Sequence, residues 1–257
     1  MKDLKHSRVA GIIPARYASS RFPGKPLALI GDHPMIQRVY EQALKSLEFV
    51  FVATDDERIE KAVLDFGGNV IMTSSEHKSG TDRCSEAVGK IESEKSLKID
   101  VVINIQGDEP FIKPGQIDLL VSCFKDDSVE IATLIRKVLP GENLSNINHT
   151  KVVVTINGDA MYFSRAIIPY VRDAEIDVWT FKHCFYKHLG IYGYRTDTLR
   201  KLTSLNRSSL EIAESLEQNR WLENGYRIRT ALTDWESIGI DTPEDLKKAN
   251  DIIKKLI

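Results

Sequence analysis

Cysteine is scarce in this chain of 257 residues: Cys84, Cys123 and Cys184 make three, an odd number at wide spacing. That argues against a disulfide framework and leaves no thiol spacing suited to a metal centre. Each thiol reads as buried apolar filler, and the set suits a reducing cytoplasm. Long apolar runs are missing too, and none approaches the length of a membrane-spanning helix. The opening segment, Met1-Lys-Asp-Leu-Lys-His-Ser-Arg8, is polar and lacks the apolar core of a signal peptide. The net charge is only -2, so no bulk basic field is present to hold nucleic acid or an anionic membrane. Two phosphate-binding signatures are absent as well. Lys25 is followed by Pro26 where a Walker A loop needs Ser or Thr, and no Gly-x-Gly-x-x-Gly follows the first apolar run. P-loop hydrolases and ordinary NAD dehydrogenases therefore lose ground.

What is present is a globular composition, 42% hydrophobic and 28% charged, in a length that suits one large α/β domain or two small ones. Val9-Ala-Gly-Ile-Ile13 reads as a buried strand, broken at Pro14 into a loop that carries Arg16, Ser19, Ser20, Arg21, Gly24 and Lys25. Three cations on one small loop repel one another unless an anion joins them. Such a loop at a strand's carboxyl end suits a polyphosphate, although composition alone equally allows a solvated basic loop.

The pattern that follows alternates. Met35, Ile36, Val39, Tyr40, Ala43, Leu44 and Leu47 fall at helical spacing, Phe49–Ala53 reads as a strand, and Thr54-Asp-Asp56 offers caps for a helix to about Phe66. Gly67-Gly68 stops that helix and Val70–Met72 is a third strand. Strand, helix, strand, helix, strand implies a parallel sheet with right-handed crossovers and helices on both faces. Ligands of such sheets collect at the strands' carboxyl ends.

Four later stretches carry chemistry. Ser79-Gly-Thr-Asp-Arg83 opens a helix; its free N–H groups could meet an anion, and alone it is simply a well-capped start. Val101–Ile105 reads as a strand ending in Gln106, Gly107, Asp108 and Glu109, where acids are costly unless paired with a cation or bound to metal. In His188-Leu-Gly-Ile-Tyr-Gly-Tyr-Arg195, period two places His188, Gly190, Tyr192 and Tyr194 on one face and Leu189 and Ile191 on the other. That face could bind a polyhydroxy ligand or simply join the core. Ser209–Leu222 reads as one helix with Leu210, Ala213, Glu217 and Trp221 on a stripe, so Glu217 stands where an apolar residue is expected; a buried ion pair would explain it equally well. Further strands fall near Glu130–Arg136, Lys151–Ile156 and Ala160–Ser164, with a helix around Gln116–Phe124. A last helix opens at Thr242-Pro243, with Asp241 in the turn before it.

The wording Pro14-Ala-Arg-Tyr-Ala-Ser-Ser-Arg-Phe-Pro-Gly-Lys-Pro-Leu27 resembles the signature of sugar nucleotidyltransferases, and most closely that of the CMP-Kdo synthetases, the 3-deoxy-manno-octulosonate cytidylyltransferases. Ser79–Arg83, Asn104–Pro110, His188–Arg195 and Asp241–Leu246 extend the resemblance in order along nearly the whole chain. It departs from the family pattern in the Trp179–Tyr186 span and at Cys84. The resemblance implies a Rossmann-like nucleotidyltransferase fold over residues 1–257, a mostly parallel central sheet flanked by helices. Residues 137–187 would form a small antiparallel excursion that serves a homodimer.

It further implies the reaction CTP + Kdo → CMP-Kdo + diphosphate, in the cytoplasm, for lipopolysaccharide biosynthesis. Arg16, Lys25 and Asp108 would be catalytic, and Asp108 and Asp241 would hold Mg²⁺. Arg21, Ser79, Gly80, Thr81 and Arg83 would contact the nucleotide, and Gln106, His188, Tyr192, Glu217 and Gln218 the sugar. The alternatives are a cytidylyltransferase for another 2-keto sugar acid, such as 8-amino-Kdo or a sialic acid, and a non-catalytic nucleotide-sugar binding module. Joint retention of Arg16, Lys25, Asp108 and Asp241 argues against the last, and pyrophosphate release discriminates it.

Overall fold

The first apolar run forms β1 (Val9–Ala15), the strand about which both halves of the sheet are laid down. The computed structural model describes residues 8–18, 22–236 and 238–255. After β1, a two-residue hairpin of β2 (Leu29–Ile30) and β3 (His33–Pro34) leads into α1 (Met35–Leu44). β4 (Phe49–Thr54) passes to α2 (Glu57–Asp65), capped where Asp56 accepts the Arg58 N–H. Gly67, left-handed at φ 78°, turns the chain into β5 (Val70–Met72). α3 (Gly80–Lys95) starts with a reciprocal capping box between Ser79 and Asp82, and β6 (Val101–Asn104) and α4 (Pro114–Ser122) follow.

The second half brings β7 (Ile131–Lys137), β8 (Lys151–Val154), β9 (Ala160–Ser164) and the short α5 (Trp179–Lys182). Then come β10 (Tyr186–Arg195), α6 (Thr196–Thr203), α7 (Ser209–Glu214), α8 (Glu217–Glu223), β11 (Ile228–Leu232) and α9 (Pro243–Lys254).

The main sheet runs β11-β7-β10-β6-β1-β4-β5. Only β10 runs against its neighbours on this path, between β6 and β7; the other pairings are parallel. β8 hangs from the end of β10 and pairs antiparallel with β9. Side-chain alternation divides the core between the two faces. Ala10, Ile12, Phe51, Ala53, Val102, Ile131 and Tyr194 pack toward α3, α6 and Trp221 of α8. Ile13, Val50, Val52, Ile103, Leu134 and Ile191 pack toward α1, α2 and α4. This is the expected mostly parallel sheet between helical layers. Residues 137–187 contain the β8–β9 pair and a separate small core of Val138, Leu144, Trp179 and Phe185. No helix among the described residues is long and apolar enough to cross a membrane.

Two local expectations are corrected. β1 does not break at Pro14 but continues to Ala15, with Pro14 opposite Ala53 of β4. The Ile12 carbonyl accepts from Ile105, and pairing of β1 with β6 ends at Ile12. Pro14 points the same way two residues later, so its missing N–H falls where the neighbour has already turned away. The helix expected over Ser209–Leu222 is two helices, parted at Ser215 in the left-handed conformation (φ 52°). Arg165 donates to the Glu214 and Ser215 carbonyls there, and the Glu214 carboxylate accepts from Ser164 (2.5 Å) and the Arg165 N–H (2.9 Å). An outside arginine thus satisfies the carbonyls of a helix end, and Leu210 and Ala213 lie exposed instead of on a buried stripe. Two elements come in addition: α6, an amphipathic helix that buries Leu199 and Leu202, and β11, the edge strand that pairs with β7.

Gly193 of β10 shows how tightly the central strands are filled. A Cβ there would stand 2.5 Å from Cε2 of the buried Phe124 and 3.1 Å from Cδ1 of Ile103. Gly193→Ala is expected to lower stability by about 1–3 kcal/mol through overpacking. Urea unfolding measures it, and adding Phe124→Leu should recover part of the loss; an unchanged midpoint would show that Phe124 can move aside.

Candidate functional site

The carboxyl ends of β1, β4 and β6 open onto one edge, where the basic loop is pinned at its base. The Gly24 N–H donates to the Tyr17 carbonyl at 2.9 Å, and Gly24 is left-handed at φ 71°. The Arg58 guanidinium covers the other face of this arrangement, 3.3 Å from the Tyr17 ring centre. Lys25 begins a 3-10 turn directly after Gly24. Its ammonium donates to Asp108 Oδ2 at 2.6 Å and to Asp241 Oδ1 at 3.1 Å, residues 83 and 216 positions away in the chain. Asp108 leaves the end of β6. Asp241 is brought to it by the Ile240 N–H, which donates to the Asp108 carbonyl at 2.9 Å, and by the Thr242–Asp245 capping box of α9. Gly107 permits the approach of β6 to β1, since a Cβ there would lie 2.9 Å from the Pro14 carbonyl oxygen.

A cavity of about 380 Å³ opens at this edge, and Arg16, Lys25, Gly80, Gln106 and Asp108 line it. Arg16 Nη2 donates to the His77 carbonyl, and the His77 ring pairs with Glu86. Burial raises Glu86, but hydrogen bonds from Lys90, the Ser74 N–H and His77 outweigh it and hold the carboxyl at about 2. Two cations and the first turn of α3 therefore share one cavity, an arrangement suited to a polyphosphate.

The remaining residues expected to contact the nucleotide divide. Gly80 lines the cavity, whereas the Ser79 hydroxyl accepts the Asp82 N–H at 3.1 Å as the helix cap. Thr81 and Arg83 were expected to line a cytidine pocket, and both are buried behind it. Thr81 donates to Glu217 Oε2 at 2.7 Å. Arg83 donates to Thr73 Oγ1 at 2.6 Å and lies 3.3 Å from Asp55 Oδ1, with burial lowering its pKa. Thr81 ties the start of α3 to α8, and Arg83 ties it to the ends of β4 and β5 through Nη1 and the Asp55 ion pair, while Arg83 Nε makes no hydrogen bond. Asp55 is thereby an ion-pair partner and Asp56 a helix cap. Arg21, with Ser19 and Ser20, lies outside the described residues.

Of the residues expected to contact the sugar, His188, Tyr192 and Gln106 lie at a bulge in β10. Pairing with β7 passes from Leu189–Leu134 to Tyr192–Thr133, leaving Gly190 and Ile191 in excess. The Thr133 hydroxyl donates to the Ile191 carbonyl at 2.7 Å. Its oxygen then accepts from His188 Nε2 at 2.9 Å, which leaves Nδ1 of that ring as an acceptor. Burial keeps this imidazole neutral down to about pH 3. The His188 ring lies 5.1 Å from Tyr192, on one face as the period of two implies. Gln106 donates to the Gly190 carbonyl at 2.9 Å, joining the end of β6 to the bulge.

Glu217 accepts from Thr81 and, at 2.6 Å, from Arg220 Nη2; the buried-ion-pair reading of its position is met. Burial raises the Glu217 carboxyl, while Thr81 and Arg220 pull it down. Burial, and then the Glu217 charge, raise the Tyr192 hydroxyl, so these two groups share one environment. Gln218 is buried beside them on α8. Thr133 is the member of this group that sequence reasoning missed, and its only signal is one hydroxyl in the apolar run Ile131–Ile135.

Asp108 and Asp241 also pass a chemical test for Mg²⁺. Both offer hard oxygen donors, and they already converge on one positive charge. Among the described residues no group of three or more His, Cys, Asp or Glu could hold a metal. Two carboxylates completed by phosphate oxygens and water would be the form of site Mg²⁺ ordinarily takes.

With this geometry in place, known proteins supply the comparison. Residues 10–229 match the model of the cytidylyltransferase family. The 3-deoxy-manno-octulosonate cytidylyltransferase of Bacteroides thetaiotaomicron is 56% identical over 247 residues, 95% of this chain and 97% of that protein. The protein of the same name from Phocaeicola vulgatus is 56% identical over 248 residues, 95% and 97% of the two chains. A solved CMP:2-keto-3-deoxy-manno-octonic acid synthetase in complex with CTP superposes with a TM-score of 0.87 at 42% identity, covering 98% of this chain and 100% of that one. On this similarity the chain belongs to the cytidylyltransferase family, in its 3-deoxy-manno-octulosonate branch.

Proposed function

We propose that this chain transfers CMP from CTP to 3-deoxy-manno-octulosonate and releases diphosphate, supplying the activated sugar for lipopolysaccharide biosynthesis. The observation that carries this reading is the meeting of Lys25, Asp108 and Asp241 beside a cavity shared with Arg16 and the start of α3.

The sugar's anomeric hydroxyl attacks the α-phosphorus. Its oxygen–phosphorus bond forms as the bond to the β-phosphate oxygen breaks, and the hydroxyl proton is lost to solvent. Arg16, held at the His77 carbonyl, and the N–H groups at Gly80 face the polyphosphate and take up charge on the departing diphosphate. Mg²⁺ at Asp108 and Asp241, when bound, supplies further neutralisation of phosphate charge. No nucleophilic side chain is required. Neutral His188, Gln106, Tyr192 and Gln218 provide donors and acceptors for the sugar's hydroxyls, and Glu217 adds an acceptor already oriented by Thr81 and Arg220.

The molecule acts as a homodimer through the 137–187 region. Exposed Tyr170, Ile176 and Phe181 on that excursion support this reading, because apolar side chains grouped there gain from a covering surface. A cytoplasmic location is supported by three cysteines that are free thiols.

Asp108→Asn is expected to lower kcat for pyrophosphate release about 100-fold or more, the scale of losing one charge-stabilising group, with the melting temperature nearly unchanged. Normal turnover at saturating Mg²⁺ would reject Asp108 as a catalytic group. His188→Gln is expected to raise the KM for Kdo about fivefold, one hydrogen bond's worth, with the KM for CTP unaltered. Because the folded His188 pKa of about 3 lies below its ordinary 6.5, the unfolded chain takes the proton first. Its contribution to stability is therefore full above 6.5 and is lost as pH falls toward 3. The same variant should flatten acid unfolding across that window, and an equal rise in both KM values would assign His188 to the fold instead.

A further inference from the structure

Lys25 stands where a metal would stand. We propose that its ammonium is a resident counter-cation that neutralises Asp108 and Asp241 and then yields them to a divalent cation, turning to the polyphosphate. Metal and nucleotide binding are thereby coupled through one side chain. The proposal rests on the reading of Asp108 and Asp241 as metal ligands.

Two carboxylates held together repel, and an ammonium 2.6 and 3.1 Å from their oxygens offsets that repulsion. The ammonium is also the obstacle to a second cation, because it would be repelled at close range by a dication between the same two groups. The local backbone lets the side chain move alone. Gly24 is tied to Tyr17, the Leu27 N–H to the Gly24 carbonyl at 2.9 Å and the Ala28 N–H to the Lys25 carbonyl at 3.0 Å, so the turn holds while the four-carbon stem rotates. Lys25 lines the same cavity as Arg16, and rotation away from the acids keeps the ammonium within that cavity. Arg16 is held by an uncharged acceptor, the His77 carbonyl, whereas Lys25 holds the two acids, so the exchange belongs to Lys25.

Reciprocity follows: whatever the metal does to Lys25's availability for nucleotide, nucleotide does to metal affinity. Mn²⁺ binding in the absence of nucleotide, followed by electron paramagnetic resonance, tests this on folded protein, with Lys25→Met, Asp108→Asn and the double variant beside the unaltered chain. Lys25→Met should bind Mn²⁺ about tenfold more tightly than the unaltered chain, within the usual range of coupling between sites, and the double variant should lose that gain. Calorimetry of CTP binding supplies the second arm. Lys25→Met should weaken CTP about tenfold at saturating Mn²⁺, on the scale of a charge-assisted hydrogen bond, and much less in EDTA. If Lys25→Met does not fold, Lys25→Gln replaces it with the same expectations. Mn²⁺ affinity lowered by Asp108→Asn but not raised by Lys25→Met would overturn the proposal and leave the metal reading standing. Mn²⁺ affinity indifferent to Asp108→Asn would overturn both.

Discussion

One ammonium shared by two carboxylates is the contact on which the carboxyl edge of this sheet depends. Asp108 arrives from the end of β6 and Asp241 from the turn before α9, and like charges brought this close require a positive partner. Lys25 provides it, and three separate backbone devices bring the three residues to one point. Gly24 turns the loop, Gly107 lets β6 pass close to the Pro14 carbonyl, and the Ile240 N–H bonds the Asp108 carbonyl. Each is a main-chain feature, so the charged side chains are placed by the fold and not merely by mutual attraction.

Behind that edge, polar side chains bond to one another and tie neighbouring elements together. Arg83 joins the ends of β4 and β5 to α3, and Glu217 joins α3 to α8 through Thr81 and Arg220. The β10 bulge is held in a similar way by the Thr133 hydroxyl. Such interior bonds fix the orientation of groups that do face a ligand, and a site of this kind needs its positions fixed because positioning is most of its chemistry. Charge is divided in the same way: the cations Arg16 and Lys25 line the cavity at the carboxyl edge, whereas the neutral His188 and Gln106 at the β10 bulge are held by hydrogen bonds, with Glu217 an anchored carboxylate.

Much of this was legible in the sequence because the signals are local. Alternation of short apolar runs with capped helices marks β1, α1, β4, α2 and β5, and the period of two in His188–Tyr194 separates the faces of β10. Asp108 could be noticed because an acid at the end of an apolar strand needs a partner. What was not legible depends on contacts between distant segments. Pro14 remains in a strand because β6 turns away, α7 and α8 part because Arg165 satisfies their junction, and β11 is defined by the edge it completes. The nucleotide contact of Arg83 is implied only by the family resemblance, and the partners that hold its side chain inward, Asp55 and Thr73, lie in other segments of the chain. Lys25 was assigned to phosphate, and its two acidic partners are invisible to any reading of its neighbours in the chain.

The most direct measurement is the anomalous diffraction of a crystal grown with Mn²⁺ and CTP. An anomalous peak is expected in contact with both Asp108 and Asp241, with the Lys25 ammonium moved from between them onto a phosphate oxygen. A peak away from these carboxylates, or Lys25 still bridging them beneath bound CTP, would contradict that expectation.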